Sequence, residues 1–179
     1  MTKLLRHVLA LILAAGALPG GAQTPPTEYQ LKAVFLYNFA RYVEWPQSRL
    51  PAGAPIHVCI LGRDPFGGAF TTLASKQAQG REVRVKLLTG PEDGAACHIA
   101  FIADTEERRL GTYLRALTGR SILTVSDIDG FTDAGGGIGF VTVEDRVRFD
   151  VNLAVTQAEH LKLSSQLLKV ARQVVGAKP

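Results

Sequence analysis

Two cysteines are the most reactive side chains in this sequence, and their positions suit a disulfide better than a catalytic or metal site. Cys59 lies inside a predicted buried strand, and Cys97 lies at the start of another strand of the same predicted sheet. A bridge would close a loop of about 38 residues, worth about 4 kcal/mol in the chain-entropy model. The even cysteine count and the exported compartment inferred below favour this bridge. Two buried, unpaired thiols are the alternative.

The histidines and the common catalytic motifs give no sign of an active site. His57, His98 and His160 have no metal-ligand spacing, and neither a His-Glu-x-x-His motif nor a Gly-x-Ser-x-Gly elbow is present. The aspartates in residues 127–133 fail the calcium-loop pattern, because position six is Thr132 instead of glycine, and a turn role is favoured. We therefore expect a protein that is not an enzyme, with no catalytic residue, no metal and no cofactor.

Aromatic side chains are better candidates for binding a partner. Nearly half of the aromatic residues of the chain fall between Tyr29 and Trp45. Tyr37 projects away from the predicted core face of its helix, and Trp45 lies where that helix ends. Because exposed aromatic residues mark interfaces, these two are candidate contacts in a dimer or with another partner, while a place in the core is the alternative.

A charged row near the C-terminus offers a second candidate site. Residues 146–152 alternate strictly, which places Arg146, Arg148 and Asp150 on one side of a strand and apolar residues on the other. Arginine binds carboxylate and phosphate groups bidentately, so this row could form a groove for a small ligand or an acidic partner. A solvated sheet face is the alternative.

The elements that position these residues alternate in type. A helix is predicted from Glu28 to Val43, before Pro46, with its inward face formed by Leu31, Val34, Phe35, Asn38 and Tyr42. We expect the Asn38 amide to bond a nearby loop. The other predicted strands are 57–61, 82–88, 98–103, 121–125 and a hairpin around Glu144-Asp145; the other predicted helices are 64–75, 105–117, 153–159 and 164–174.

This order predicts the α/β class, as a three-layer α/β/α sandwich with a mostly parallel central sheet and an antiparallel edge hairpin. A chain of 179 residues suits one such domain. We assign residues 1–22 to a cleaved signal peptide, residues 23–28 to a flexible tail and residues 29–176 to the single domain.

The first 22 residues have the order of a secretory signal peptide. A short basic start is followed by an uncharged apolar run and then by small residues before Gln23. Lys3 and Arg6 lie in this segment, so cleavage removes two positive charges from a formal net charge of +4. The remaining basic residues are scattered, which argues against nucleic acid as a partner. We expect an exported protein that does not span a membrane after cleavage.

Seven segments resemble YfiR-like periplasmic proteins, in order along almost the whole mature chain. They are LKAVFLYNFARYVEWP (31–46), DPFG (64–67), CHIAFI (97–102), LTVSD (123–127), GF (130–131), RFDVNL (148–153) and LKLSSQLL (161–168).

This resemblance implies a periplasmic α/β regulator, usually dimeric and not an enzyme. In such proteins the regulator restrains an inner-membrane diguanylate cyclase, which makes cyclic-di-GMP, by binding the cyclase's periplasmic sensor region. Cys59 and Cys97 fall where relatives carry a cysteine pair, and a second pair found in some members has no counterpart here. Arg148 and Asp150 lie in a region that looks like a small-ligand contact in relatives. The alternative is a periplasmic ligand-binding module that feeds a histidine kinase or another membrane sensor.

Overall fold

A computed structural model of the chain describes residues 26–70 and 76–176. The predicted signal peptide lies outside the described residues, as does the end of the predicted helix 64–75. The described elements, in chain order, are α1 Glu28–Tyr42, β1 Val43–Glu44, β2 Ile56–Leu61, β3 Gln77–Ala78, β4 Arg81–Leu88, a 3-10 helix Pro91–Ala96, β5 Ile99–Ile102, a 3-10 helix Asp104–Arg109, α2 Leu110–Leu117, β6 Leu123–Ser126, β7 Ile138–Val143, β8 Arg146–Asn152, α3 Leu153–Ala158, β9 Lys162–Leu163, α4 Ser165–Val170 and β10 Gln173–Val175.

A large mixed sheet lies at the centre of the described fold, with strand order β10-β8-β7-β6-β5-β2-β4-β3. The pairs from β4 through β2, β5 and β6 to β7 are all parallel. The β7–β8 pair is the predicted hairpin, and its turn residues Glu144 and Asp145 both have positive φ, as a tight hairpin turn requires. The predicted α/β class and the mostly parallel sheet are therefore confirmed.

Helix α1 lies on one face of this sheet and is fixed at both ends. Its N-cap is Thr27, whose hydroxyl accepts from the Gln30 amide at 3.3 Å, while the Gln30 side chain accepts from the Thr27 amide at 2.7 Å. At the other end the Gln79 side chain donates to the carbonyls of Ala40 and Val43. Strand β1 follows directly and pairs with β9 in a second, two-stranded sheet.

The opposite face of the sheet carries a smaller core, closed by a disulfide. Cys59 of β2 and Cys97, just before β5, are bonded with their Cα atoms 5.8 Å apart. The predicted bridge is thus confirmed. Tyr113 and Leu117 of α2 pack over this cluster, and the α2 chain ends before Gly119, whose φ is +74°.

Two predictions about helices are corrected. The predicted helix 164–174 ends early: α4 stops at Val170, and Gln173–Val175 form β10, which pairs in parallel with β8. The predicted inward face of α1 is turned about its axis. Ala33 and Ala40, which the pattern placed outside, are fully buried, whereas Leu31 and Val34 are exposed. The small alanine side chains allow the helix to approach the sheet closely, so hydrophobicity alone pointed to the wrong arc.

Candidate functional site

Because α1 is turned about its axis relative to the predicted orientation, some of its apolar residues face outward. We call it the α1–α4 surface and define it by Leu31, Val34, Asn38, Tyr42 and Val170. The four α1 residues follow helical spacing and therefore lie along one side of the helix. Val34 is 47% exposed and Val170 is 57% exposed. Exposed apolar residues grouped in this way are typical of binding surfaces.

A groove of about 390 Å³ opens in this surface between α1 and α4. Its lining residues are Phe35, Asn38, Tyr42, Phe149, Gln166, Leu167 and Val170. Phe149 of β8 is fully buried and packs edge-on against Phe35, with ring centroids 5.5 Å apart, and against Phe39, with centroids 5.2 Å apart. Phe35 and Phe149 therefore form the floor of the groove, and Phe39 packs against Phe149 behind it.

Asn38 does not make the bond that we expected of it. No hydrogen-bond partner for its amide is found among the described residues, and the side chain is half-buried in the lining of the groove. Its position on an apolar face therefore reflects the groove and not a tie between helix and loop.

Tyr37 is half-buried at a different place, over the short strand β3. Its hydroxyl donates to the Gln77 carbonyl at 2.8 Å, and the Arg41 guanidinium lies 5.9 Å from the centre of its ring. Tyr37 is therefore separate from the groove, and its role in a partner contact stays a prediction.

Trp45 belongs to the core of this chain. It is 8% exposed, its indole donates to the His98 carbonyl at 3.2 Å, and its ring packs edge-on against the His98 ring. The exposure on which its candidacy rested is therefore absent. One edge of Trp45 borders a depression of about 370 Å³ beside His160 and Lys162, and a partner contact there stays a prediction.

Arg148 and Asp150 lie on one strand but make different contacts. Asp150 is buried and binds Arg172 bidentately, with Arg172 Nε donating to Asp150 Oδ1 at 2.7 Å. This ion pair, through its hydrogen bond to Asp150, raises the pKa of Arg172 above its ordinary value. Arg148 is exposed and makes no ion pair with any residue that the structure describes. Arg146, Arg148 and Arg172 together border a depression of about 180 Å³.

Sequence reasoning missed a buried ionic cluster at the start of α1. Lys32 Nζ lies 2.6 Å from Asp127 Oδ2 and 2.6 Å from Glu28 Oε1, and the Tyr29 hydroxyl donates to Asp127 Oδ2 at 2.9 Å. Burial, the hydrogen bond to Asp127 and its charge raise the pKa of Tyr29. Asp127 thus anchors the helix instead of serving only a turn. The sequence feature that could have revealed this cluster is Lys32, a lysine near an otherwise apolar arc of the helix.

His98 is a further buried titratable group, and it directly follows Cys97 of the disulfide. The His57 amide donates to His98 Nδ1 at 3.0 Å, so the proton is on Nε2, which faces the Arg49 carbonyl at 3.3 Å. Burial, together with the nearby charges of Arg49 and other basic groups, lowers the pKa of His98 to about 4. The side chain is therefore neutral at physiological pH and acts as a structural bridge.

Neither a metal centre nor a membrane span is found in the part of the chain that the structure describes. Residues 26–70 and 76–176 contain no group of three His, Cys, Asp or Glu side chains able to hold a metal ion. The helices within the same residues are all too short or too polar to cross a membrane.

These features define a disulfide-bonded α/β domain with an exposed apolar groove. The chain belongs to the YfiR/HmsC-like family, whose model matches residues 29–172. That family consists of periplasmic regulatory proteins. The resemblance noted in the sequence is thus confirmed.

A solved structure shows the same fold at low identity. A conserved domain protein from Vibrio cholerae O1 biovar El Tor strain N16961 aligns with a TM-score of 0.56 and 7% identity. The alignment covers 84% of this chain and 61% of that protein, so the chain spans less than two thirds of its length. At this identity the likeness extends to the fold alone. No curated protein matches the sequence.

Proposed function

We propose that this protein binds the periplasmic sensor region of an inner-membrane diguanylate cyclase and thereby restrains synthesis of cyclic-di-GMP. One observation supports this role most directly: a member of a regulatory family exposes the apolar α1–α4 surface, which the described part of its fold leaves uncovered. In this proposal the protein is exported by its signal peptide, works as a homodimer and performs no catalysis.

The mechanism requires only differential binding. If the cyclase is held inactive while the regulator is bound, then any condition that weakens binding by a few kcal/mol raises cyclase output. The rigid, phenylalanine-lined floor keeps the α1–α4 surface preformed, so little ordering opposes association. Lys32 and Asp127 hold the first turn of α1 in register and keep the surface in place.

Site-specific photo-crosslinking in intact cells tests the proposal. A photoreactive phenylalanine at Val34 should capture an inner-membrane protein that carries a cytoplasmic cyclase or kinase domain. The matched control is Leu87 of β4, which is 63% exposed and lies near the other edge of the sheet. Equal capture from both positions, or capture of only a second copy from Val34, would contradict the partner assignment.

A second candidate role is a periplasmic ligand-binding module that reports to a histidine kinase or another membrane sensor. The observation in its favour is the depression bordered by Arg146, Arg148 and Arg172, where arginine forks could bind a carboxylate or phosphate. Arg148→Ala should then abolish saturable binding of a small anion, while Arg115→Ala on α2 should not. Unchanged anion binding in the Arg148 variant would exclude this site.

A further inference from the structure

The groove between α1 and α4 already has the form of a small-molecule site. Its volume of about 390 Å³ falls within the range of roughly 300–1,000 Å³ typical of ligand pockets. By contrast, a stable protein interface needs about 800 Å² from each partner, so the groove alone is too small to account for one. The packed rings of Phe35 and Phe149 form its floor.

The lining of the groove has no charged side chain. Three aromatic and two aliphatic residues surround the space, and the remaining two are the carboxamides of Asn38 and Gln166. An ionised group placed there would lose its hydration without gaining a counter-ion, which is strongly unfavourable. The complementary occupant is therefore uncharged and mostly apolar.

Asn38 adds a requirement for one polar group on the ligand. Its half-buried amide has no partner among the described residues, whereas Asn152, elsewhere in the fold, donates to the Thr132 carbonyl and accepts from the Val155 amide. Because no protein group among the described residues competes for this amide, it is free to bond to one polar group of a ligand.

We propose that this groove binds a small, uncharged, mostly apolar molecule through one hydrogen bond to Asn38. The ligand fills the space between Tyr42 and Val170 and covers part of the α1–α4 surface. Where the sensor region binds the same surface, ligand and sensor exclude each other, and the ligand releases the cyclase. This last consequence rests on the proposed function, but ligand binding itself does not.

The first test is a fluorescence titration of protein purified from the periplasm with N-phenyl-1-naphthylamine, a neutral apolar probe. We expect saturable binding at one site per chain. Val170→Lys places a charge at the exposed rim and should weaken binding at least about tenfold, whereas Leu87→Lys should leave it unchanged. Absence of saturable binding, or equal loss in both variants, would overturn the proposal.

Two further experiments test the predicted charge and hydrogen bonding of the ligand. Neutral 1-naphthol should displace the probe at least about tenfold better than 1-naphthoate, because the groove offers no counter-ion. Asn38→Leu should remove the preference for 1-naphthol over naphthalene, since only the first can bond to the amide. Equal displacement by the anion, or an unchanged preference in the Asn38 variant, would refute the assigned ligand class.

A variant that fills the groove separates this inference from the proposed function. Gln166→Trp replaces an exposed side chain at the mouth of the groove and should abolish probe binding while the protein stays folded. If the probe never binds but the Val34 crosslink to a cyclase forms, the ligand inference fails and the proposed function stands. If the probe binds and that crosslink is absent, the ligand inference stands and the proposed function fails.

Discussion

The two faces of the central sheet are covered and stabilised in different ways. Among the described residues, the α2 face has a core of 10 buried residues, and the Cys59–Cys97 bridge crosslinks it. Within the same residues, the α1 face has a core of 25 buried residues with no crosslink, and it leaves the α1–α4 surface uncovered. The larger core is sufficient to hold its helix while an apolar surface stays free for binding. We therefore expect changes on the α2 face to affect stability and changes on the α1–α4 surface to affect binding.

Removal of the disulfide should have the largest effect on stability. The double substitution Cys59→Ala and Cys97→Ala frees a loop with a sequence separation of 38 residues, which should lower the free energy of unfolding by about 4 kcal/mol. Urea denaturation followed by the fluorescence of Trp45, the one tryptophan, measures this change. A loss below about 1 kcal/mol would show that the small core is stable without its crosslink.

Breaking the ionic anchor of α1 should have the next largest effect. Asp127→Ala leaves Lys32 with only the half-exposed Glu28 as a counter-charge, and loss of one partner in a buried ion pair costs about 3 kcal/mol. The control Glu28→Ala should cost less than about 0.5 kcal/mol, because this carboxylate is exposed. Similar losses in the two variants would mean that burial of Lys32 does not depend on Asp127.

Acid should weaken the fold through His98, which is 4% exposed. The folded state holds the pKa of His98 at about 4, whereas the unfolded chain titrates near 6.5, so the unfolded state binds more protons as the pH falls. The contribution of neutral His98 to the free energy of unfolding is fully present above about pH 6.5. It should fall by about 2 kcal/mol by pH 5.

The matched variant for this effect is His98→Asn, which does not titrate. Its free energy of unfolding should change less between pH 7 and pH 5 than that of the natural protein. Parallel pH profiles for the two proteins would assign the acid sensitivity to other groups, such as His57, whose pKa burial also lowers.

The sequence was most informative where local pattern and packing agree. The alternation of buried strands and helices predicted the α/β class, and the even cysteine count with predicted export pointed to the bond between Cys59 in β2 and Cys97, two residues before β5. The hairpin was predicted because Glu144-Asp145 interrupts two alternating runs, and the register of β7 against β8 places the turn there.

The sequence was least informative where contacts between distant segments decide the outcome. Lys32 is buried because Asp127, 95 residues later, binds it, and no local pattern encodes that pair. Arg172 follows α4 and binds Asp150 in β8, so the chain turns into β10 where helical periodicity predicted a longer helix. The groove likewise depends on how α1 is rotated, which close packing of Ala33 and Ala40 determines.

The smallest effect on stability, and the sharpest test of the comparison, should come from Val34→Lys. Val34 is 47% exposed, and lysine is a better helix former than valine, so the free energy of unfolding should change by less than about 0.5 kcal/mol. The same charge on the α1–α4 surface should weaken sensor binding at least about tenfold, because the partner would have to cover an unpaired ammonium group. Leu87→Lys is the matched control and should alter neither property. If Val34→Lys instead destabilises the fold by more than about 1.5 kcal/mol, this surface belongs to the core and the difference between the two faces disappears.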